Sequence, residues 1–183
     1  MERITHFIFI LLFTSCGSPF FKKHIIKHPE GVTRQYSTTN PVFQEYITQF
    51  KTAHKQIHSS DIRLDHIPIN FGKPSNKSFE GVCHIYYDGT KEILIRKDWW
   101  DRYVGESGET VKRLMIFHEL GHCLLDRKHK NEMIPHDNKE INASIMSATL
   151  MPYSDYKFYM KQYDRELFTS SHESLKSSLS SQN

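Results

Sequence analysis

Phe43, Ile47, Phe50, His54 and Ile57 recur at steps of four and three. That is the period of one helix face and predicts an amphipathic helix starting after Asn40-Pro41. Ile67, Ile69 and Phe71 alternate with polar or small residues, which predicts a half-buried strand closed by Gly72-Lys73-Pro74. Two further strands are predicted at 82–87 and 92–96, joined by Asp88-Gly89-Thr90, whose residues suit a tight hairpin. Asp98 is placed to cap a short turn holding Trp99 and Trp100. A long helix should cover 110–125 and a last one 153–167. The order predicts one α+β domain without internal repeats. A short twisted sheet packs on the central helix, with one helix before it and one after.

The ends of the chain follow other patterns. Arg3 precedes an apolar run over 4–13, interrupted by Thr5 and His6. The run is too short to span a bilayer and has the length of a signal-peptide core. It ends in Phe13-Thr14-Ser15-Cys16, followed by Gly17-Ser18-Pro19. This segment resembles a bacterial lipobox, in which small residues precede a cysteine that is lipidated and becomes the mature N-terminus. The resemblance implies a lipoprotein signal peptide at 1–15, acyl chains such as palmitate on Cys16, and attachment to a membrane of the bacterial cell envelope. The alternative is a signal peptide cut nearby, leaving Cys16 unmodified. Residues 16–40 lack periodicity and read as a tether, and the Ser-rich stretch 169–183 reads as a disordered tail. Residues 41–168 remain as the domain.

Composition narrows the partners. Lys and Arg number 24 against 21 Asp and Glu, and a net charge of +3 is too slight to argue for nucleic acid. A mean hydropathy of −0.57 excludes a multi-span membrane protein. A chain of 183 residues fits one domain, expected to act as a monomer. Three cysteines are too few for a disulfide scaffold, whereas twelve histidines point to metal or proton chemistry.

Spacing selects among those histidines. His118 and His122 stand at i and i+4 of the central helix, so both imidazoles leave one face and can grip one ion. Glu119 sits beside that face, where a carboxylate can take a proton from water. Apolar residues flank the motif on both sides. The pairs His24/His28 and His54/His58 share the spacing but lack this setting, and read as solvated or core histidines. A catalytic zinc usually takes three protein ligands and keeps one position open. The nearest third candidate, His129, would sit about 10 Å beyond His122 on a continuous helix. The helix must therefore stop between 124 and 128 and the chain turn back, although no glycine is present to ease the turn.

His118-Glu119-Leu120-Gly121-His122, His129 and Ser144-Ile145-Met146-Ser147 together resemble a metzincin-type zinc metallopeptidase. Residues 93–146 are similar to small bacterial lipoprotein metallopeptidases with a HELGHC segment and a later SIM. The resemblance implies a small metzincin-like domain with one catalytic Zn2+. His118, His122 and His129 would be ligands and Glu119 the general base. Met146 would form a floor beneath the metal without binding it. It also implies a protein or peptide substrate, held by strand addition to an exposed strand within 92–96. The chain departs from the family spacing: Leu125 stands where glycine is usual, Lys128 where histidine is usual, and His129 comes one residue late. Ala148 stands where some relatives carry a tyrosine that assists the zinc. Tyr153 is a nearby candidate, against a plain structural tyrosine.

Several readings stay open. Glu140 lies eighteen residues after His122, in a stretch similar to the glutamate helix of thermolysin-like enzymes, and rivals His129 as third ligand. Cys83 and Cys123 remain once Cys16 is lipidated. In an oxidising compartment a disulfide is expected, with two buried thiols as the alternative. Gly105-Glu106-Ser107-Gly108 superficially suggests a nucleophile elbow, but Glu109 replaces its last glycine, so it reads as the loop before the helix. The function expected is that of a zinc-dependent endopeptidase. The alternatives are a lipid-anchored zinc-binding or adhesive module without turnover, and a cell-wall peptide amidase.

Overall fold

Asp88-Gly89-Thr90 turns the chain back on itself: Gly89 adopts φ +81°, and the Asp88 carboxylate accepts the Thr90 N–H at 2.9 Å and its hydroxyl at 2.7 Å. The computed structural model describes residues 25–73, 79–136, 139–171 and 175–177. In chain order the elements are β1 (Ile25–Lys27), α1 (Gln44–His58), β2 (Ile69–Phe71), β3 (Gly81–Ile85) and β4 (Lys91–Ile95). There follow α2 (Lys97–Arg102), α3 (Gly105–Cys123), β5 (Met133–His136), β6 (Lys139–Asn142), α4 (Tyr153–Phe158) and α5 (Met160–Thr169). The fold is α+β.

The sheet has the order β1-β3-β4-β2, with β3 and β4 antiparallel and the outer strands parallel to their neighbours. Side chains alternate across each strand. Cys83, Ile93 and Ile95 join the main core, while Val82 and Leu94 meet Phe79 and Ile26 in a smaller cluster. This overturns the expectation that 92–96 offers an exposed strand. β4 is interior, bonded to β3 on one side and β2 on the other. Its run Ile93-Leu94-Ile95 is apolar on both faces, the pattern of a strand with no open edge.

The tether reading fails over residues 25–40, and its remaining residues 16–24 lie outside the described residues. Residues 25–27 pair with β3, and the buried carboxylate of Glu92 accepts the N–H groups of Gln35 and Tyr36. The stretch before α1 also covers β2: Thr39 Oγ1 accepts the Ile69 N–H, and Asn70 donates to the Thr38 carbonyl at 2.8 Å. Asn70 and Pro68 are buried, so the strand is enclosed rather than half-buried. At the other end, Leu175 lies within the main core, so the Ser-rich stretch is not wholly a loose tail.

A 3-10 turn, Pro41–Phe43, leads into α1, with Asn40 capping the Val42 N–H at 3.1 Å. The buried face of α1 is Tyr46, Ile47, Phe50 and Ala53, and Phe50 meets Phe117 of α3 edge-on at 5.0 Å. In α2 the residue at the N-cap is Arg96 rather than Asp98. Asp98 lies in the first turn and pairs with Arg96. α3 starts at Gly105, so Gly105-Glu106-Ser107-Gly108 is its first turn and not a loop. The predicted last helix breaks at Tyr159 (φ −108°, ψ 25°) into α4 and α5. The β5–β6 hairpin escaped prediction because only Ile134 and Ile141 in it are buried apolar residues, too few for a period. Among the described residues no helix is long and apolar enough to cross a membrane.

Candidate metal centre

α3 is enclosed on nearly every side, and every residue from Arg113 to Cys123 is buried. It stops where its last carbonyls find other donors. Lys91 Nζ donates to the Cys123 carbonyl at 2.6 Å and to Asp126 at 3.3 Å. Asp126 then takes φ +51°, a left-handed conformation that aspartate tolerates better than most residues. It does the work for which no glycine was available. The Arg127 N–H reaches back to the Gly121 carbonyl at 2.9 Å, and the chain reverses.

This reversal brings His129 to the other two histidines. Its ring centroid lies 5.4 Å from His118 and 4.8 Å from His122, and one ligand atom from each ring falls within 4.8 Å of the others. His118 and His122 are buried and His129 is half-buried. Among the described residues, this is the one group of three or more His, Cys, Asp or Glu placed to hold a metal ion. Glu140 is not part of it. It is exposed on β6 opposite Pro135.

Two carbonyls fix the rings of the helical pair. His118 Nδ1 lies 2.7 Å from the Ile145 carbonyl and His122 Nδ1 lies 2.6 Å from the Arg127 carbonyl. A carbonyl only accepts, so both Nδ1 atoms carry a hydrogen, and in the neutral form of each ring Nε2 presents a lone pair. Those Nε2 atoms are 3.0 Å apart. Two lone pairs facing at that distance repel unless they share a cation. Two zinc–nitrogen bonds at a tetrahedral angle would set the nitrogens about 3.3 Å apart. The donor set therefore fits a metal ion of that kind.

Glu119 is fully buried between α3 and β3. A Cβ added at Gly81 would come within 2.9 Å of Glu119 Oε1 and 2.7 Å of Met115 Sδ, so glycine makes the room this carboxylate occupies. Met146 is fully buried against α3 at the residue before His122. A Cβ on Gly121 would lie 2.5 Å from its sulfur and 3.0 Å from Leu167 Cδ1. Cys123, next to His122, is joined to Cys83 as a disulfide, which ties α3 to β3 and leaves no thiolate for a metal. Tyr153 is exposed at the start of α4. Cys16 and His24 lie outside the described residues.

The irregular half of the site is fastened by polar bonds. The Lys130 N–H donates to the Met146 carbonyl at 2.8 Å, the Ala148 N–H to Asn131 at 2.8 Å, and the Ala143 N–H to the Glu132 carbonyl at 2.8 Å. Glu166, fully buried on α5, pairs with Arg127 at 2.6 Å and accepts the Ser144 hydroxyl at 2.6 Å. Sequence reasoning missed Glu166, Arg127 and Ser144. One signal was there: Tyr159, Tyr163, Glu166 and Leu167 share the apolar face of a helix, and a carboxylate in that stripe needs a buried partner.

Elsewhere His28 Nε2 and His84 Nδ1 are 2.6 Å apart, and both rings stack with Tyr86. Burial lowers the His84 pKa from 6.5 to about 4; the neighbouring His28 adds to this and Glu92 opposes it. His54 and His58 pack together beside Phe168. Arg113 and Asp164 form a second buried ion pair, in which burial lifts the Asp164 carboxyl above its usual range against the pull of Arg113. Compared with protein-family models, with curated proteins and with solved structures, the chain matches none.

Proposed function

We propose that this chain is a zinc-dependent endopeptidase with a metzincin-like site. The observation that carries the reading is the pair of Nε2 atoms held 3.0 Å apart, with His129 returned to them by the turn at Asp126. Three imidazoles with one position left over form the donor set of a catalytic rather than a structural zinc. The packing of Met146 against Gly121 supports the metzincin-like assignment, since it seats a methionine against the helix that carries both ligands.

His118, His122 and His129 would hold the ion. When bound there, zinc supplies Lewis acidity that polarises a scissile carbonyl and acidifies a water. Glu119 does the proton work: its carboxylate accepts a proton from the attacking water and delivers it to the leaving amine. The carbonyls of Ile145 and Arg127 keep the Nδ1 hydrogens in place, so that both Nε2 atoms stay available as ligands. The substrate is a protein or peptide. An acylated Cys16 would hold the enzyme to a membrane of the bacterial envelope.

Hydrolysis of casein or a peptide library by the purified full chain tests the proposal, with Glu119→Gln and a chelator as controls. Cleavage lost in both controls is expected. Equal cleavage by Glu119→Gln would end the mechanism. Zinc binding without cleavage of any peptide would favour the adhesive module, and release of peptidoglycan fragments the amidase.

A further inference from the structure

We infer that Glu166 is a positioning residue for the metal centre, its single buried carboxylate setting both carbonyls that orient His118 and His122. This rests on the metal-site reading above and adds to it the group that keeps the site in register.

One arm runs through Ser144. Glu166 Oε2 accepts the Ser144 hydroxyl at 2.6 Å, and Ser144 Oγ in turn accepts the Met146 N–H at 3.0 Å. That N–H belongs to the same peptide unit as the Ile145 carbonyl. The unit is planar and trans, so its N–H and C=O point opposite ways. Holding the N–H toward Ser144 aims the carbonyl at His118 Nδ1, 2.7 Å away. The second arm runs through Arg127. Glu166 Oε1 takes Arg127 Nη2 at 2.6 Å, while Nη1 donates to the carbonyls of Glu166 at 2.9 Å and Leu167 at 2.6 Å. The guanidinium is thereby pinned to the end of α5, and the Arg127 carbonyl stays on His122 Nδ1 at 2.6 Å. A third contact reaches the neighbour of the remaining ligand, with Lys130 Nζ 3.8 Å from Glu166 Oε1.

Glu166 and Ser144 are both fully buried, so bulk water does not compete for the bonds between them. Partners that orient metal-bound imidazoles typically change metal affinity about tenfold to a hundredfold. α5 supplies its own control. Asp164, on the same helix, forms a comparably buried pair with Arg113 but touches neither site carbonyl.

The test compares the full chain with Glu166→Gln, Ser144→Ala and Asp164→Asn. Zinc affinity is measured by chelator competition, the Co2+ absorption spectrum is recorded on metal-loaded protein, and Tm on metal-free protein. Glu166→Gln is expected to bind zinc about tenfold to a hundredfold more weakly and to shift the Co2+ spectrum. Ser144→Ala should shift both in the same direction by less. Asp164→Asn should lower Tm and move neither. Wild-type affinity and spectrum in Glu166→Gln would overturn the inference while leaving the metal site standing. If Glu166→Gln does not fold, unchanged affinity and spectrum in Ser144→Ala would overturn it. A wild-type chain that binds neither zinc nor cobalt would bring down the metal reading itself.

Discussion

His118 and His122 stand on a helix packed in apolar side chains and cross-linked to β3, whereas His129 and Met146 stand on chain without regular structure. The first half draws its order from burial and one covalent bond. The burial tolerates small shifts, because apolar attraction is non-directional, while the disulfide limits how far α3 can move from β3. The second half also buries Ile145 and Met146, but adds hydrogen bonds and ion pairs out of water, centred on Glu166. Such networks hold a geometry closely when complete and cost heavily when one member is lost. A candidate metal centre divided in this way has a strong frame and a sensitive hinge, and the two should fail differently.

On the proposed mechanism the largest effect belongs to the helical half, which carries Glu119. Glu119→Gln should lower kcat by about 10²- to 10⁴-fold in peptide hydrolysis while zinc content stays at the wild-type level. Loss of zinc together with activity would mean that Glu119 supports the metal instead. Removing the cross-link tests the frame alone. The double variant Cys83→Ser/Cys123→Ser opens a loop of 40 residues and should cost about 4 kcal/mol of folding stability by chain entropy. Zinc affinity in the folded fraction should barely move; a matching fall in affinity would show that the frame and the hinge are not separable.

Acid should act on the sheet, at the β3 residue that follows Cys83. His84 has its folded pKa lowered to about 4, so below pH 6.5 the unfolded chain takes up the proton first. Stability is complete above pH 6.5 and lost as the pH falls toward 4, by at most about 3 kcal/mol. Denaturant melts of metal-free protein at pH 7.5 and 4.5 measure this loss, and His84→Gln should remove that part of it. An unchanged slope in His84→Gln would place the acid sensitivity elsewhere. The smallest change joins the two halves: Gly121→Ala drives a methyl group into Met146 and Leu167 and should cost about 1–3 kcal/mol. Because Met146 belongs to the hinge, this variant should also weaken zinc binding. A Tm loss with full affinity would confine Met146 to the core.

This division also separates what could be read from the sequence. The helical pair, the hairpin at Gly89 and the start of α1 were legible because each rests on local spacing or turn chemistry. The position of β4 was not. Strand order depends on non-local pairing, and although β2 was legible from its alternation, the short β1 carries too few residues to announce itself. The turn to His129 was required by distance, but its means, Asp126 in a left-handed conformation with Lys91 at the helix end, depends on a residue from another element. Glu166 lies 37 positions after His129 in the chain, and no period links the two. Only folding brings that carboxylate to the carbonyls behind the ligands.

The central claim is that His129, not Glu140, completes the metal centre. Zinc content per chain, measured on the purified full chain and on His129→Ala and Glu140→Ala, tests it most directly. One zinc is expected in the wild type and in Glu140→Ala, and none in His129→Ala. Zinc retained by His129→Ala and lost from Glu140→Ala would contradict it.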